Sequence, residues 1–377
     1  MPKPTVVIAG LGDTGILVAT RLARSCRVVA VTTCPALVSG QELGVRLADP
    51  PTWRRYYFVP LERFRRLAQV DVRHGRIVVA DLDASTVCIE SVDGSTCEVG
   101  YSALVIATGV SNGFWRDDRV ESANACAARM QDDAQRLADA RVIAVVGGGA
   151  TGVGVADNLA RRADAEVHLF VSGDRPLPGH HPSAQQWITR MLGRHGVTLH
   201  TGYRAALPGG SAPDRITAGP IEWSSGQPPF EADAVVWAVG AVRPHSAFLP
   251  AEALDDADFV RVDRHLQVPR HPNVFALGDV AASDPLRSSA RNWGHRVVVA
   301  NVRSVLRGRR ARRVFRAPSH RWGSVLGLQR EGLTVVSPKG RRFRVPRRIA
   351  EPLLYRFVVG LILYRGLRRA DPAADER

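Results

Sequence analysis

Short apolar runs recur along the chain, most of them followed at once by glycine or a small polar residue. They lie at residues 6–9, 28–31, 142–146, 234–239 and 274–277, and residues 166–171 read as a further strand. Apolar stretches of this length between turn signals read as buried parallel strands. Residues 16–24 and 121–140 carry apolar positions at helical spacing. Residues 72–99 instead alternate apolar and polar positions about Asp93-Gly94, which predicts an antiparallel meander with a hairpin. Residues 35–67, with Pro50-Pro51, Trp53 and Tyr56-Tyr57, read as irregular. Residues 288–301 read as one helix, and residues 320–346 as short strands. Strands alternating with helices predict an α/β fold.

Two of the strand ends carry a glycine pattern with a physical purpose. After residues 6–9 comes Gly10-Leu11-Gly12-Asp13-Thr14-Gly15, and after residues 142–146 comes Gly147-Gly148-Gly149-Ala150-Thr151-Gly152. In a strand–turn–helix setting the first glycine permits the tight turn. The second lets the backbone approach a pyrophosphate, and the third lets the helix pack on the sheet. The phosphates then meet a helix N-terminus. Two such fingerprints predict two nucleotide sites. A third feature is the run 274–277 ending in Gly278-Asp279. Glycine there allows close approach of a ligand, and the carboxylate can accept hydrogen bonds from sugar-type hydroxyls.

Between the fingerprints lies the run 101–109, ending Ala107-Thr108-Gly109, and residues 234–240 end Ala238-Val239-Gly240. In this order, over residues 5–305, these motifs resemble the FAD-dependent pyridine-nucleotide oxidoreductases. The likeness is nearest to the branch of type II NADH dehydrogenases, ferroptosis suppressor protein and apoptosis-inducing factor. The resemblance implies two Rossmann-like dinucleotide-binding domains. Residues 1–118 and 247–310 would form a split FAD domain, 119–246 an inserted NAD(P) domain, and 311–377 a basic C-terminal region with an amphipathic helix. It implies cofactor contacts at Gly10, Gly12, Asp13, Thr14, Gly15, Thr32, Ala107, Thr108, Gly109, Gly278 and Asp279 for FAD. For the nicotinamide nucleotide the candidates are Gly147, Gly149, Ala150, Thr151, Gly152, Ser172 and Arg175. The resemblance implies a further cofactor contact at Gly240, in the family's second Ala-x-Gly run.

Several positions depart from the family pattern. Thr32-Thr33 stand where an acid usually holds the adenosine ribose, Ser102 where Asp is usual, and Gly154 where Glu is common. The strand 166–171 ends in Ser172 rather than the Glu that excludes a 2′-phosphate. With Arg175 nearby this makes NADPH a candidate and leaves NADH open. Type II NADH dehydrogenases line a quinone site with glutamines where this chain has Arg291 and His295. Those two are the candidate catalytic residues, placed to stabilise reduced flavin or a quinone oxygen. The redox-active cysteine pair of the disulfide reductases is missing.

Charge changes the picture at one end. The net charge is +15, yet residues 287–369 hold 22 Lys and Arg against Glu331 and Glu351, so the remainder is slightly acidic. Such a region suits an anionic partner. Residues 353–364 place Leu353, Leu354, Phe357, Val358 and Leu361 on one helical side, between arginine clusters. That fits an interfacial helix rather than a span, with docking on the protein's own core or on a second subunit of a homodimer as the other reading. No run reaches about 18 apolar residues, and residues 6–9 are too short for a signal peptide. Cys26, Cys34, Cys88, Cys97 and Cys126 form no CxxC or metal-type cluster, so reduced cytoplasmic thiols and no metal site are expected. The implied activity is hydride transfer from NAD(P)H to FAD and onward to a quinone-like acceptor at an anionic membrane surface, from a cytoplasmic or peripheral membrane location. Two alternatives stand beside it: a soluble reductase for a protein or other small acceptor, and a flavoprotein whose basic tail binds nucleic acid.

Overall fold

The computed structural model describes residues 2–368 apart from 39–42, 112–118, 163, 208–212, 214, 240–241, 353–363 and 365. Residues 6–9 are fully buried because both faces of their strand are covered. Thr5–Ala9 pairs in parallel with Arg27–Thr32 on one side and Ala103–Ile106 on the other. These form the centre of an eight-stranded sheet in the order Gln267–Val268, His271–Ala276, Ala103–Ile106, Thr5–Ala9, Arg27–Thr32, Asp71–Asp81, Thr86–Ser91, Thr96–Gly100. The last three are the predicted meander. Asp71–Asp81 joins it to the parallel strands by pairing with Arg27–Thr32. His271–Ala276 enters late in the chain, parallel to Ala103–Ile106, and so completes the sheet that the N-terminal residues began.

A second, five-stranded sheet is built from the intervening residues. Its order is Val197–Thr201, Glu166–Val171, Val142–Val146, Phe230–Trp237, Thr217–Ile221, with only the last strand antiparallel. The chain leaves the first sheet through Val110–Ser111 and returns through Arg243–Pro244, and these two short strands pair with each other. The helices Asp13–Leu22 and Gly294–Val305 cover the first sheet. Ile16, Val298 and Val302 share one core with Ile8, Val105 and Phe275. Burying each such side chain is worth roughly 1.5–3 kcal/mol, so the late helix contributes to the stability of the first fingerprint.

Three sequence expectations change. Residues 35–67 are not irregular: they contain the helices Leu43–Ala48 and Pro50–Tyr57 and the strand pair Ala36–Val38 with Phe58–Pro60. Asp49 caps the second helix by accepting from Thr52 N at 3.2 Å, and Pro50-Pro51 opens it, where a missing N–H costs nothing. The helix expected from residue 288 starts later, at Gly294, because Trp293 takes a left-handed conformation (φ 62°) that interrupts helical geometry. Residues 322–328 form little strand. The C-terminal sheet is instead Leu328–Gln329, Gly332–Val336 and Arg342–Val345, followed by the helix Arg347–Ala350.

Most of the predicted amphipathic helix, residues 353–363, lies outside the described residues. Its last position does not. Tyr364 is 4% exposed and meets Phe64 edge-on at 5.1 Å between ring centroids. Beyond it, Arg65 N donates to Gly366 O (3.3 Å) and Arg368 N to Arg63 O (2.7 Å). Residues 364 and 366–368 are therefore seated on the protein's own core. No helix among the described residues is long and apolar enough to cross a membrane.

Candidate functional site

The first fingerprint is a cradle formed by close backbone packing. Gly10 has φ +94° and donates its N–H to Val31 O at 2.9 Å. A methyl group on Gly10 would lie 2.5 Å from Ala107 O, and one on Gly15 would collide with the carbonyl of Gly10. Gly12 differs: nothing lies within 4 Å of the place its Cβ would take. It is also the N-cap of the helix Asp13–Leu22, and no side chain caps that end. Open space at Gly12 thus adjoins a helix N-terminus that no side chain caps, the arrangement that receives a phosphate.

Gly278-Asp279 reaches the same place from the opposite side. A methyl on Gly278 (φ +84°) would sit 3.6 Å from Thr14 Oγ1. Ser289, fully buried, accepts from Gly278 N at 2.9 Å and so fixes this turn. Asp284 in turn shapes the preceding loop, accepting from Leu286 N at 3.0 Å and Ser288 N at 2.9 Å. The sequence reading did not single out Ser289; its only signal was its position after the Gly-Asp turn. Asp279 stands half-buried next to Gly278.

Three other predicted contacts make structural hydrogen bonds. The Thr108 hydroxyl donates to His245 O at 2.6 Å, and the His245 ring bonds Ser111 Oγ at 2.7 Å and Thr108 O at 3.0 Å. Ala107-Thr108-Gly109 is thus clasped to the returning chain, with Gly109 O accepting from His245 N. Thr32 is buried and donates to Cys34 O at 2.8 Å, which shapes the end of its strand. Asp13 accepts a hydrogen bond from Tyr364 Oη at 2.9 Å, so its carboxylate also meets the C-terminal segment.

The second fingerprint repeats the first. A methyl on Gly147 (φ +130°) or Gly152 would collide with the carbonyls of Ala238 and Gly147 respectively. Gly149 has nothing within 4 Å and caps the helix Ala150–Ala160 without side-chain help. Leu177 N donates to Gly148 O at 2.6 Å and holds the loop after Glu166–Val171 over the turn. Ser172 and Arg175 are exposed on that loop, with the carboxylate of Asp174 between them. Gly240 lies outside the described residues.

Arg291 and His295 face different neighbours. His295 is 2% exposed, both ring nitrogens lack a partner, and burial, then Arg21 and Arg296, push its pKa down to about 4. It is a neutral imidazole beside the first fingerprint helix. Arg291 Nη1 donates to Trp322 O at 3.4 Å, and Trp322 Nε1 to Asn292 Oδ1 at 2.6 Å. Close by, Arg321 N donates to Gly179 O at 2.9 Å. His180, 6% exposed with Nδ1 unpartnered, is held neutral by burial, then by Arg321, Arg291 and His320, with its pKa pushed down to about 4. The sequence reading missed His180, because nothing local marks a histidine that a distant segment buries. A cavity of about 450 Å³ between Trp187, Met191, His195 and Phe343 contains no residue of either fingerprint. Among the described residues no cluster of three or more metal-ligating side chains occurs.

Comparison with known proteins agrees with this geometry. The chain is 28% identical over 243 residues to ferroptosis suppressor protein 1 of Homo sapiens, covering 61% of this chain and 62% of that protein. It is 25% identical over 284 residues to the type II NADH:quinone oxidoreductase Ndh of Mycobacterium tuberculosis, covering 65% and 60%. The chain thus spans under two thirds of the length of these relatives. The water-forming NADH oxidase of Lactobacillus brevis, solved with NADH, superposes with a TM-score of 0.64 at 17% identity, over 88% of this chain and 74% of that one. The sequence profile of the pyridine nucleotide-disulphide oxidoreductases matches residues 4–302. The chain belongs to that family of flavoproteins, which use FAD together with NAD(P)H.

Proposed function

We propose that this flavoprotein takes electrons from NAD(P)H and delivers them to a quinone-like acceptor. The observation that carries the reading is the paired cradle. Two strand–turn–helix units place an open glycine, Gly12 or Gly149, at an uncapped helix N-terminus. Gly12, Thr14, Gly278 and Asp279 would hold FAD, with Ser289 positioning the last two. Gly149, Thr151, Ser172 and Arg175 would hold the nicotinamide nucleotide. Bound FAD supplies the hydride-accepting chemistry. What the chain supplies is alignment of the two cofactors, the dominant protein contribution to such transfers. We read residues 1–118 and 247–310 as the FAD domain and 119–246 as the NAD(P) domain, in keeping with the residues each sheet recruits.

Support for a quinone comes from the relative named as a type II NADH:quinone oxidoreductase. Near the acceptor the chain would offer His180 as a neutral imidazole, able to donate one N–H to a carbonyl oxygen without carrying charge, whereas His295 is enclosed beside Arg21 and Arg296. Arg291 adds a fixed positive charge next to His180. The basic residues 287–369 favour an anionic membrane surface as the place of work. Burial of Tyr364 favours a second reading for part of that region, as a clasp on the protein's own core.

The test is reconstitution with FAD, followed by anaerobic reduction with NADH and NADPH. Turnover is then measured with a water-soluble quinone and with a quinone embedded in neutral or anionic vesicles. The proposal expects a yellow protein, flavin bleaching by either nucleotide, and faster turnover on anionic vesicles. Flavin reduction without any quinone turnover would leave the reductase and remove the quinone.

A further inference from the structure

Cys34 and Cys126 are remote in sequence and adjacent in space. Cys34 follows the strand Arg27–Thr32, where Thr32 Oγ1 donates to its carbonyl. Cys126 lies in the first turn of the helix Ala123–Ala138 and is 1% exposed. The two segments are tied by Glu121 N donating to Thr33 O at 3.0 Å, and Ser122 caps the helix by accepting from Ala125 N at 3.1 Å. Cys126 lies in a small apolar cluster with Trp53, Tyr57, Phe58 and Met130, and Cys34 packs against that cluster. The charged groups facing the pair are Glu121 and Arg129, and these neutralise each other in a 2.6 Å ion pair.

The two sulfurs are not equivalent. The hydrogen bond from Cys126, ahead of burial, holds the Cys34 thiol below the usual range, while the same bond and burial push Cys126 up. Cys34 is the half-buried member and Cys126 the enclosed one. A half-buried sulfur whose thiol is held below its usual range, beside an enclosed second thiol, has the makings of a nucleophilic and a resolving cysteine.

We propose that Cys34 and Cys126 form a reversible oxidation site for a peroxide. The Cys34 thiolate attacks one peroxide oxygen and the O–O bond breaks. Cys34 becomes a sulfenic acid, and the departing hydroxide takes a proton to leave as water. Cys126 sulfur then attacks Cys34 sulfur, the S–O bond breaks, and the hydroxyl leaves as a second water with the Cys126 proton. Two thiols lose two electrons and hydrogen peroxide gains them. A dithiol reductant reverses the step. The bond joins the end of a strand in the first sheet to the helix that leads into the second, so it restrains the connection between them.

The experiment treats the full chain with hydrogen peroxide, blocks remaining thiols, and maps peptides without reduction. It is done in a Cys97→Ser background, since Cys97 is exposed and accepts from Arg73 Nη1 at 3.1 Å. The expected result is a Cys34–Cys126 linked peptide, loss of two titratable thiols per chain, and a higher melting temperature that dithiothreitol reverses. In Cys126→Ser the link is absent and Cys34 is trapped by dimedone as the sulfenic acid. Full alkylation of both cysteines after peroxide overturns the proposal. So does over-oxidation of Cys34 with no link to Cys126. Should Cys126→Ser fail to fold, the peptide map of the parent chain decides alone.

Discussion

The phenol of Tyr364 donates a 2.9 Å hydrogen bond to Asp13 Oδ1, joining the C-terminal segment to the first residue of the first fingerprint helix. An acid at that position favours the helix, whose N-terminus is electropositive, but it opposes a phosphate at the same place. The Tyr364 hydroxyl draws on that charge. It stays protonated because burial, then the neighbouring Asp13, raises its pKa well above the ordinary phenol value. Tyr364→Phe should therefore lower stability by about 1.5–3 kcal/mol, the usual worth of a hydrogen bond to a charged group, and weaken FAD retention. Thermal melts and flavin content after gel filtration check both. An unchanged flavin content would separate the clasp from the cofactor.

Truncation before residue 364 should be more severe, because it also uncovers Phe64, which is buried in the first core. Losing the contacts of a buried aromatic ring costs on the order of 3–5 kcal/mol. Loss of FAD together with loss of vesicle binding would assign the segment to the fold. Loss of vesicle binding alone would assign it to the membrane.

The glycines within one fingerprint should respond in opposite ways. Gly12→Ala has open space and an ordinary φ of −70°, so stability should change by no more than about 0.5 kcal/mol. The methyl then occupies the phosphate approach, and FAD affinity should fall tenfold or more, about 1.4 kcal/mol. Gly15→Ala meets a backbone carbonyl and should cost more than about 4 kcal/mol or prevent folding. Denaturant titration with flavin fluorescence distinguishes the two. Equal losses of stability would contradict the division of roles.

That contrast also marks what was legible in the sequence. The fingerprints, the run 101–109 and Gly278-Asp279 could be read because each performs a local task with local residues. The structure packs Gly10 on Ala107 and sets Gly278 beside Thr14. Ser289, His180 and the Cys34–Cys126 contact could not be read, since each depends on a partner far along the chain. The two helices within residues 35–67 were hidden by Pro50-Pro51, which resembles a breaker until Asp49 is seen to cap it. In the sequence Tyr364 is only the last residue of the amphipathic segment 353–364. Its role comes from Phe64 and Asp13, which no periodicity reveals.

Two buried histidines set an acid limit on stability. His180 and His295 have folded pKa values pushed down to about 4, below the ordinary value of 6.5. Between those values the unfolded chain binds more protons, so stability rises with pH. It should be complete above about pH 6.5 and be lost progressively as the pH falls toward 4. His295→Leu should flatten the fall in melting temperature over that window while leaving the neutral-pH melt less affected. An unaltered slope would mean that His295 is not neutral in the folded state.

Cofactor choice turns on the loop after Glu166–Val171. Ser172 and Arg175 are exposed there, and Ser172 lacks the carboxylate that would repel a 2′-phosphate. Asp174 supplies the opposing charge, exposed between them, so the balance rests on which side chain reaches the ribose. An arginine gives a charge-assisted contact to a phosphate, worth more than a neutral bond. The expectation is that NADPH reduces the flavin at least as fast as NADH. Arg175→Ala should lower the NADPH rate constant at subsaturating nucleotide roughly tenfold, about 1.4 kcal/mol, with NADH little changed. Ser172→Glu should reverse the preference by repelling the 2′-phosphate and accepting from the ribose hydroxyls. Anaerobic stopped-flow with both nucleotides reads all three rates. If the parent chain strongly prefers NADH and Arg175→Ala changes neither rate, Asp174 takes over as the ribose ligand and Arg175 belongs to the surface alone.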